Sequence, residues 1–231
     1  MMQGINKNVI ITASSKGLGL AIAKKFSEKN HGIILHGRNP EKIQEAASLL
    51  DNVICTIQGD LRDKSTIQEI YDSAKKYNIS ILVNNAAIPC YGLPICQMSV
   101  DQVRESLMTN LFSPILLSHR LYPILSKNSP GGIININSIV GLEPKKHRSV
   151  HSATKWGLKG FSKSLRMEAG DDNMRIMNVY PTRIRTVKEY TYGLDVSYVS
   201  SLIYDEFNKQ SGLDELIIDG RPEEFRNKYE T

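Results

Sequence analysis

The fold of this chain is decided by residues 9–19, which read VIITASSKGLG. The apolar run Val9–Ile11 has the composition of a buried strand, and Gly17 and Gly19 follow it. The next segment, Leu18–Lys29, carries an apolar residue at every fourth position, as expected of a helix that packs on a sheet. A strand, a glycine turn and a helix in this order predict the first unit of an α/β sheet.

The same alternation of short apolar runs and amphipathic segments continues along the chain. The predicted later strands are Gly32–Gly37, Val53–Ile57, Ile79–Val83, Gly132–Ile136, Arg175–Val179 and Glu215–Ile218. The predicted later helices begin after the cap Asn39, cover Ser65–Tyr77, run from a Ser99–Gln102 capping box through Leu117, and cover Ser149–Met167 and Asp195–Asn208. Because strands buried on both faces are continuous apolar runs, we expect a single-domain, Rossmann-like, doubly wound parallel sheet over residues 1–231. It has about seven strands, with helices on both faces.

The composition argues against several other classes of protein. A hydrophobic content of 41% and a net charge of +5 are not those of a disordered chain. The cysteines Cys55, Cys90 and Cys96 lack the spacing of a zinc site or a disulfide scaffold, so no metal is predicted. No apolar run matches a signal peptide or the roughly 18 residues of a membrane span. The composition therefore favours a cytoplasmic protein with no membrane or nucleic-acid partner.

The glycine turn has the features of a phosphate-binding loop. At the carboxyl end of a first strand, missing side chains let backbone N–H groups approach a pyrophosphate at the N-terminus of the following helix. The loop residues predicted to contact a dinucleotide are Thr12, Ser14, Ser15, Lys16, Gly17, Leu18 and Gly19.

The end of the second predicted strand indicates which dinucleotide this is. It reads His36-Gly37-Arg38, without the carboxylate that binds the ribose 2′-hydroxyl of NAD. Arg38, together with Lys16 in the glycine loop, supplies two cations that suit a 2′-phosphate. The expected cofactor is therefore NADP.

Further ordered motifs make the chain resemble the short-chain dehydrogenase/reductase family from about Asn8 to Thr186. Thr12–Gly19 is similar to the TGxxxGxG loop of that family, with Ala13 in place of its first glycine. Asn84–Ala87 resembles the NNAG stretch, and Pro181–Thr186 resembles PGxxxT, with Ala87 and Thr182 in place of glycines. The cofactor contacts that the resemblance adds are Asp60 and Leu61 at the adenine, Asn84, Ala86, Pro181, Thr186 at the nicotinamide carboxamide, and Lys155 at the nicotinamide ribose.

The resemblance also implies the catalytic residues Asn110, Ser138, His151 and Lys155. The YxxxK motif of the family falls on His151–Lys155, so a histidine stands where the family has its tyrosine. In the family, the serine holds the substrate oxygen, the tyrosine transfers its proton, and the asparagine holds a water that relays protons to the lysine. Hydride then passes between nicotinamide and a carbonyl or alcohol carbon.

Histidine changes the chemistry expected at this position. Residues 151 and 155 are one helical turn apart, so both side chains share a face. Imidazole has an ordinary pKa of about 6.5, and a neighbouring lysine cation favours its neutral form. A neutral imidazole accepts a proton more readily than it donates one, which suits alcohol oxidation better than carbonyl reduction.

Three interpretations of His151 follow. The protein is an active oxidoreductase with His151 as the acid/base or water-relay group. Alternatively, it is an NADP-binding regulatory or scaffold relative with impaired catalysis. In the third interpretation, the histidine is an engineered or cloning substitution in an ordinary enzyme of the family.

Basic residues near the expected substrate position suggest an anionic substrate. Arg183, Arg185 and Lys188 lie in a predicted substrate loop over about residues 182–195, and Lys145–Arg148 precede the His151 helix. The candidates are a phosphorylated or nucleotide-linked sugar, a carboxylate, or a carrier-bound acyl group.

The resemblance also implies how the chain assembles. The resemblance implies a homodimer or homotetramer through the helices Ser99–Leu117 and Ser149–Met167. The charged tail 221–231 departs from the usual ending of the family and argues against a tetramer contact at that edge.

His36 has no partner at catalytic spacing and is predicted to be structural or exposed.

Overall fold

The computed structural model describes residues 7–186, 192–209 and 212–222. Seven parallel strands form one sheet in the order β3-β2-β1-β4-β5-β6-β7. The strands are β1 (Asn8–Ile11), β2 (Gly32–Gly37), β3 (Val53–Gln58), β4 (Ile79–Asn84), β5 (Gly131–Ile136), β6 (Met174–Pro181) and β7 (Glu215–Ile218). The helices are α1 (Gly17–Ser27), α2 (Pro40–Ala47), α3 (Lys64–Lys76), α4 (Val100–Leu107), α5 (Ser113–Lys127), α6 (Ser149–Ala169) and α7 (Val196–Asn208).

The predicted doubly wound sheet is confirmed, and the early strands form where continuous apolar runs predict them. Successive residues of β1 show why the run is continuous. Val9 and Ile11 pack on the face covered by α1, α2 and α7, whereas Ile10 packs on the face covered by α3, α5 and α6. Since both faces of β1 are buried, no polar alternation interrupts the strand.

The long helix predicted through Leu117 extends further and contains an irregular turn. It begins at the predicted capping box, in which the Ser99 hydroxyl accepts the N–H of Gln102, and it continues to Lys127. A π-helical turn, Met108–Phe112, separates α4 from α5 and contains Asn110. Such turns are frequent at functional sites.

The strand order creates a crevice at the carboxyl ends of β1 and β4. The chain proceeds from β1 outward to β3 on one side and then returns to place β4 on the other side of β1. Ligands of open α/β sheets bind at such a switch point. None of the helices in the described part of the chain combines the length and apolarity needed to cross a bilayer.

Candidate active site and cofactor cleft

The loop after β1 folds as its glycines require. Gly17 has a φ of +58°, and Thr186 packs against it, with its Cγ2 atom 3.4 Å from where a Cβ would stand. A Cβ on Gly19 would lie 2.5 Å from the carbonyl oxygen of Ala13, so only glycine lets α1 approach the loop so closely. Ala13 itself adopts a φ of 51°, a region in which glycine is less strained.

Two hydroxyls of this loop point into the protein. The Thr12 hydroxyl accepts the backbone N–H groups of Asn85 and Ala86, at 2.9 and 3.0 Å. The Ser14 hydroxyl accepts the N–H of His36 at 3.0 Å. Both residues are buried, so they join the loop to β4 and β2. The direct cofactor contacts expected of Thr12 and Ser14 stay predictions.

His36 is a structural residue that supports the glycine loop through hydrogen bonds of its ring. Its buried ring accepts the N–H of Ala13 through Nδ1 at 3.2 Å and faces the carbonyl oxygen of Gly59 through Nε2 at 3.1 Å. Since a carbonyl only accepts, Nε2 carries the hydrogen. Burial lowers the pKa of His36 to about 4, so the ring is neutral at pH 7 and ties the glycine loop to the end of β3.

A cleft opens above this loop at the carboxyl ends of β1, β2, β3 and β4. Residues from all four strand ends line it, together with Glu105 and Thr109 from the α4 region. The lining residues are Ala13, Ser15, Lys16, His36, Gly37, Arg38, Asp60, Leu61, Arg62, Ala86, Ala87, Ile88, Glu105 and Thr109. Ser15, Lys16, Arg38, Asp60, Leu61 and Ala86 are predicted cofactor residues. Residues that are far apart in sequence therefore share one cleft.

The charges in the cleft leave Arg38 accessible. The Arg62 guanidinium binds the Asp60 carboxylate at 2.8 Å and also pairs with Glu105, and its hydrogen bonds hold the pKa of Asp60 down at about 2. Arg38 makes only a long contact of 3.8 Å with Asp60, and 68% of its side-chain surface is exposed. The prediction missed Arg62, whose partner Glu105 lies on α4.

The turn that contains the predicted catalytic serine packs against α6. Ser138 follows β5 and begins a 3₁₀ turn. The side-chain amide of Asn137 accepts the N–H of Ser138 at 3.0 Å and donates to the carbonyl oxygen of Lys155 at 3.1 Å. The Lys155 ammonium donates to the carbonyl oxygen of Ile136 at 2.9 Å. Two hydrogen bonds thus join the end of β5 and the serine turn to the lysine turn of α6. Asn137, which the motifs did not single out, makes one of them and also binds Ser138.

Burial and charge keep His151 neutral. The residue is 8% exposed and Lys155 is 3% exposed. Burial, followed by the charges of Lys155 and Arg148, lowers the pKa of His151 to about 4. Burial lowers the pKa of Lys155 to about 8. The Nδ1 atom of His151 is buried and has no hydrogen-bond partner among the described residues.

Asn110 anchors the loop that faces this pair. Its side-chain oxygen accepts the N–H of Ile88 at 2.8 Å, and its amide donates to the carbonyl oxygen of Ile88 at 2.9 Å. The side chain therefore fixes the start of the β4–α4 loop, while the π turn shapes the helix around it. The proton relay that the resemblance implies for Asn110 stays a prediction.

Three other predicted cofactor residues are buried where the elements meet. Asn84 ends β4 and donates to the Asn135 side chain at 2.8 Å, Pro181 ends β6, and Leu18 packs in the first turn of α1. Thr182 is not strained by replacing a glycine, because its φ is not positive. Its hydroxyl accepts the N–H of Gly220 at 2.9 Å and joins the ends of β6 and β7.

The basic residues expected to bind substrate separate into different places. Arg185 lies 3.9 Å from the Asp195 carboxylate and lines a groove between α1 and α7. Arg183 stacks on Tyr192, at 4.4 Å from the ring centroid. Lys188 and the end of the charged tail lie outside the described residues. Among these basic residues, Arg148 is the one whose charge helps to lower the pKa of His151.

Comparison with known proteins agrees with this arrangement. The sequence profile of the short chain dehydrogenase family matches residues 7–192. The chain is 32% identical to the 3-oxoacyl-(acyl-carrier-protein) reductase FabG of Chlamydia trachomatis over 188 residues, which are 79% of this chain and 75% of that protein. It is 30% identical to the NADP-dependent 3-hydroxy acid dehydrogenase YdfG of Escherichia coli K12 over 175 residues, or 75% and 71% of the two chains.

Solved structures give the same result. The closed form of a serine dehydrogenase complexed with NADP⁺ superimposes with a TM-score of 0.83 at 26% identity, covering 91% of this chain and 94% of that one. The chain therefore belongs to the short-chain dehydrogenase family, a family of oxidoreductases that bind nicotinamide cofactors.

Proposed function

We propose that this protein is an NADP(H)-dependent oxidoreductase that moves hydride between nicotinamide and a carbonyl or alcohol substrate with an anionic group. The observation that carries the proposal is the hydrogen-bonded unit of Ser138, Asn137 and Lys155, in which Lys155 lies one helical turn from His151. Relatives named for acting on 3-hydroxy acids and on serine support an acidic substrate.

The residues of the cleft fit NADP. Gly17 leaves backbone partly exposed at the N-terminus of α1, where a pyrophosphate would be held, and Gly19 lets α1 approach the loop. The exposed guanidinium of Arg38 and the ammonium of Lys16 are the groups that would bind the 2′-phosphate. When bound, NADP(H) would supply or accept the hydride.

The protein's own residues would handle the oxygen and its proton. Ser138 would hold the substrate oxygen, and neutral His151 would accept the proton of an alcohol, directly or through a water. Lys155 is a buried cation whose charge opposes protonation of His151. In alcohol oxidation the C–H electron pair leaves as hydride while the O–H proton passes to the imidazole.

A second candidate function rests on the same imidazole. Because the pKa of His151 is held at about 4, the residue carries almost no proton to donate at pH 7. An NADP-binding regulatory or scaffold protein without ordinary turnover would retain the cleft and lack an effective acid.

The variant His151→Tyr separates the two candidates. General acid–base catalysis is worth about 10²–10⁴-fold, so we expect carbonyl reduction by the tyrosine variant to rise by a factor in that range. NADPH oxidation with a panel of carbonyl compounds measures it, and His151→Phe controls for ring size without a hydroxyl. If neither wild type nor the tyrosine variant turns over any carbonyl or alcohol while both bind NADPH, the enzyme proposal is wrong. If only the tyrosine variant is active, the regulatory candidate is favoured.

The pH dependence of alcohol oxidation tests His151 as the base. We expect kcat/KM to rise as the pH increases through about 4, because the imidazole must be neutral, and to change again near pH 8 as Lys155 loses its proton. Stopped-flow rates in wild type and His151→Phe measure this. A limb near pH 4 that persists in the phenylalanine variant would assign it to another group.

A further inference from the structure

The Arg148 guanidinium lies near His151 and pairs with none of the carboxylates that the structure describes. Arg148 is half-buried and immediately precedes α6, three residues before His151, and its charge helps to lower the pKa of that histidine. Among the described residues, its guanidinium forms no ion pair and no hydrogen bond, and its one close contact is an aromatic ring. A partly desolvated cation without a counter-charge is unfavourable, and an anion supplied from outside would remove that cost.

The Tyr91 ring contacts both this guanidinium and His151. The Cζ atom of Arg148 lies 4.7 Å from the centroid of the Tyr91 ring. The same ring meets the His151 ring edge-on, with centroids 5.8 Å apart and planes at 75°. The N–H of Gly92 donates to the carbonyl oxygen of His147 at 3.0 Å, which joins the two loops. Tyr91 therefore contacts both the cation and the proposed base, and it is 50% exposed.

The neighbouring carboxylates are already engaged elsewhere. Arg221 binds Glu143 and Asp219, each at 2.7 Å. Lys145 lies near the same groups, and its pKa is lowered by burial and then by the charges of Arg221 and Arg148. Positive charge thus exceeds negative charge at the start of α6, and no described carboxylate is within ion-pair distance of Arg148.

From these contacts we infer that Arg148 determines substrate specificity by binding the carboxylate of a small hydroxy acid or oxo acid. A guanidinium binds a carboxylate through two parallel hydrogen bonds, and stacking on Tyr91 keeps its plane fixed. The hydroxyl or carbonyl carbon of that acid would lie at Ser138 and His151. The inference rests on the proposed function. It assigns the binding of the substrate anion to Arg148 at the start of α6 instead of to Arg183 and Arg185.

Matched acids and esters test it. Short-chain 2- and 3-hydroxy acids and their methyl esters differ in charge and share the reacting carbon. With NADP⁺, we expect wild type to favour the acids, and Arg148→Gln to lower kcat/KM for the acids by about 10–100-fold while esters change little. Arg148→Lys should restore part of the loss, since it keeps the charge without the planar fork. Arg104→Gln, on the exposed surface of α4, is the matched control.

The outcomes are distinct. Equal use of acids and esters by wild type overturns the inference, and so does an Arg148→Gln variant that loses both alike, because that loss is structural. Isothermal titration of the acids into protein with NADP⁺ separates the two proposals. Binding that depends on Arg148 without turnover of any substrate supports the inference and contradicts the proposed function. Turnover of esters without a preference for acids supports the proposed function and contradicts the inference.

Discussion

At the scale of single residues, the ion pair between Arg62 and Asp60 leaves the Arg38 guanidinium available to a ligand. Asp60 is satisfied by Arg62, which binds it at 2.8 Å, so it offers Arg38 only a contact of 3.8 Å. An exposed guanidinium that borders the cleft and lacks a close carboxylate can meet a phosphate without first breaking a strong ion pair. We therefore expect the proposed preference for NADP to depend on Arg62 as well as on Arg38.

Replacing Arg38 tests the cofactor preference. We expect Arg38→Ala to weaken NADP⁺ binding by about 10–100-fold, because one charge-assisted interaction with the 2′-phosphate is lost. NAD⁺ binding should change little. Fluorescence titration of both cofactors measures this, and Arg104→Ala on the surface of α4 is the control. Equal losses for both cofactors would show that Arg38 does not recognise the 2′-phosphate.

The residues that motifs predicted and those they missed differ in a physical way. Lys16 and Arg38 stand in local patterns at the ends of the first two strands, and the resemblance to the family identified Lys155. Asn137 and Arg62 matter through partners far along the chain, namely Lys155 on α6 and Glu105 on α4. Such contacts are created by the tertiary fold and leave no periodicity in the sequence.

At the scale of elements, the sheet was predictable because burial on both faces forces continuous apolar runs. The π turn at Met108–Phe112 was not, since one extra residue in a helical turn barely disturbs amphipathic spacing. The helix α7 ends at Asn208, as predicted, but its cap was beyond prediction, because it comes from Arg175 on β6. Its guanidinium donates to the carbonyl oxygens of Glu206, Phe207, Lys209 and Leu213.

Removing this cap should destabilise the α7–β7 region. Hydrogen bonds to a charged group are worth about 1.5–3 kcal/mol, so we expect Arg175→Met to lower the free energy of unfolding by about 2–3 kcal/mol. Urea denaturation followed by circular dichroism measures it. Arg104→Met, which removes an exposed ion pair on α4, should change stability by less than about 0.5 kcal/mol. A similar small effect for Arg175→Met would show that water replaces its contacts.

At the scale of the whole molecule, two buried neutral histidines couple folding to pH. Burial lowers the pKa of His36 and of His151 to about 4, whereas an unfolded histidine has a pKa of about 6.5. The folded state therefore binds fewer protons in this range. The resulting stabilisation is complete above about pH 6.5 and is lost as the pH falls toward 4.

Each histidine contributes at most roughly 3 kcal/mol to this pH dependence. We expect the free energy of unfolding of His36→Gln to fall less between pH 6.5 and 4.5 than that of wild type, although the variant is less stable at pH 7. Urea unfolding at a series of pH values measures the slope, and the exposed His119→Gln is the control. An unchanged slope in His36→Gln would assign the acid sensitivity to other groups.

Assembly is the remaining property that belongs to the whole chain. Phe112, at the end of the π turn, is 48% exposed, and Leu107 and Trp156 are exposed on the adjoining α4 and α6. The resemblance to the family predicts that these helices pair with a second copy. Burying such side chains contributes about 1.5–3 kcal/mol each, so we expect a homodimer that Phe112→Arg dissociates. Light scattering across a dilution series measures the mass, and Leu49→Arg, in the exposed turn after α2, should leave the dimer intact. A monomeric wild type, or a variant that dimerises like it, would contradict this assembly.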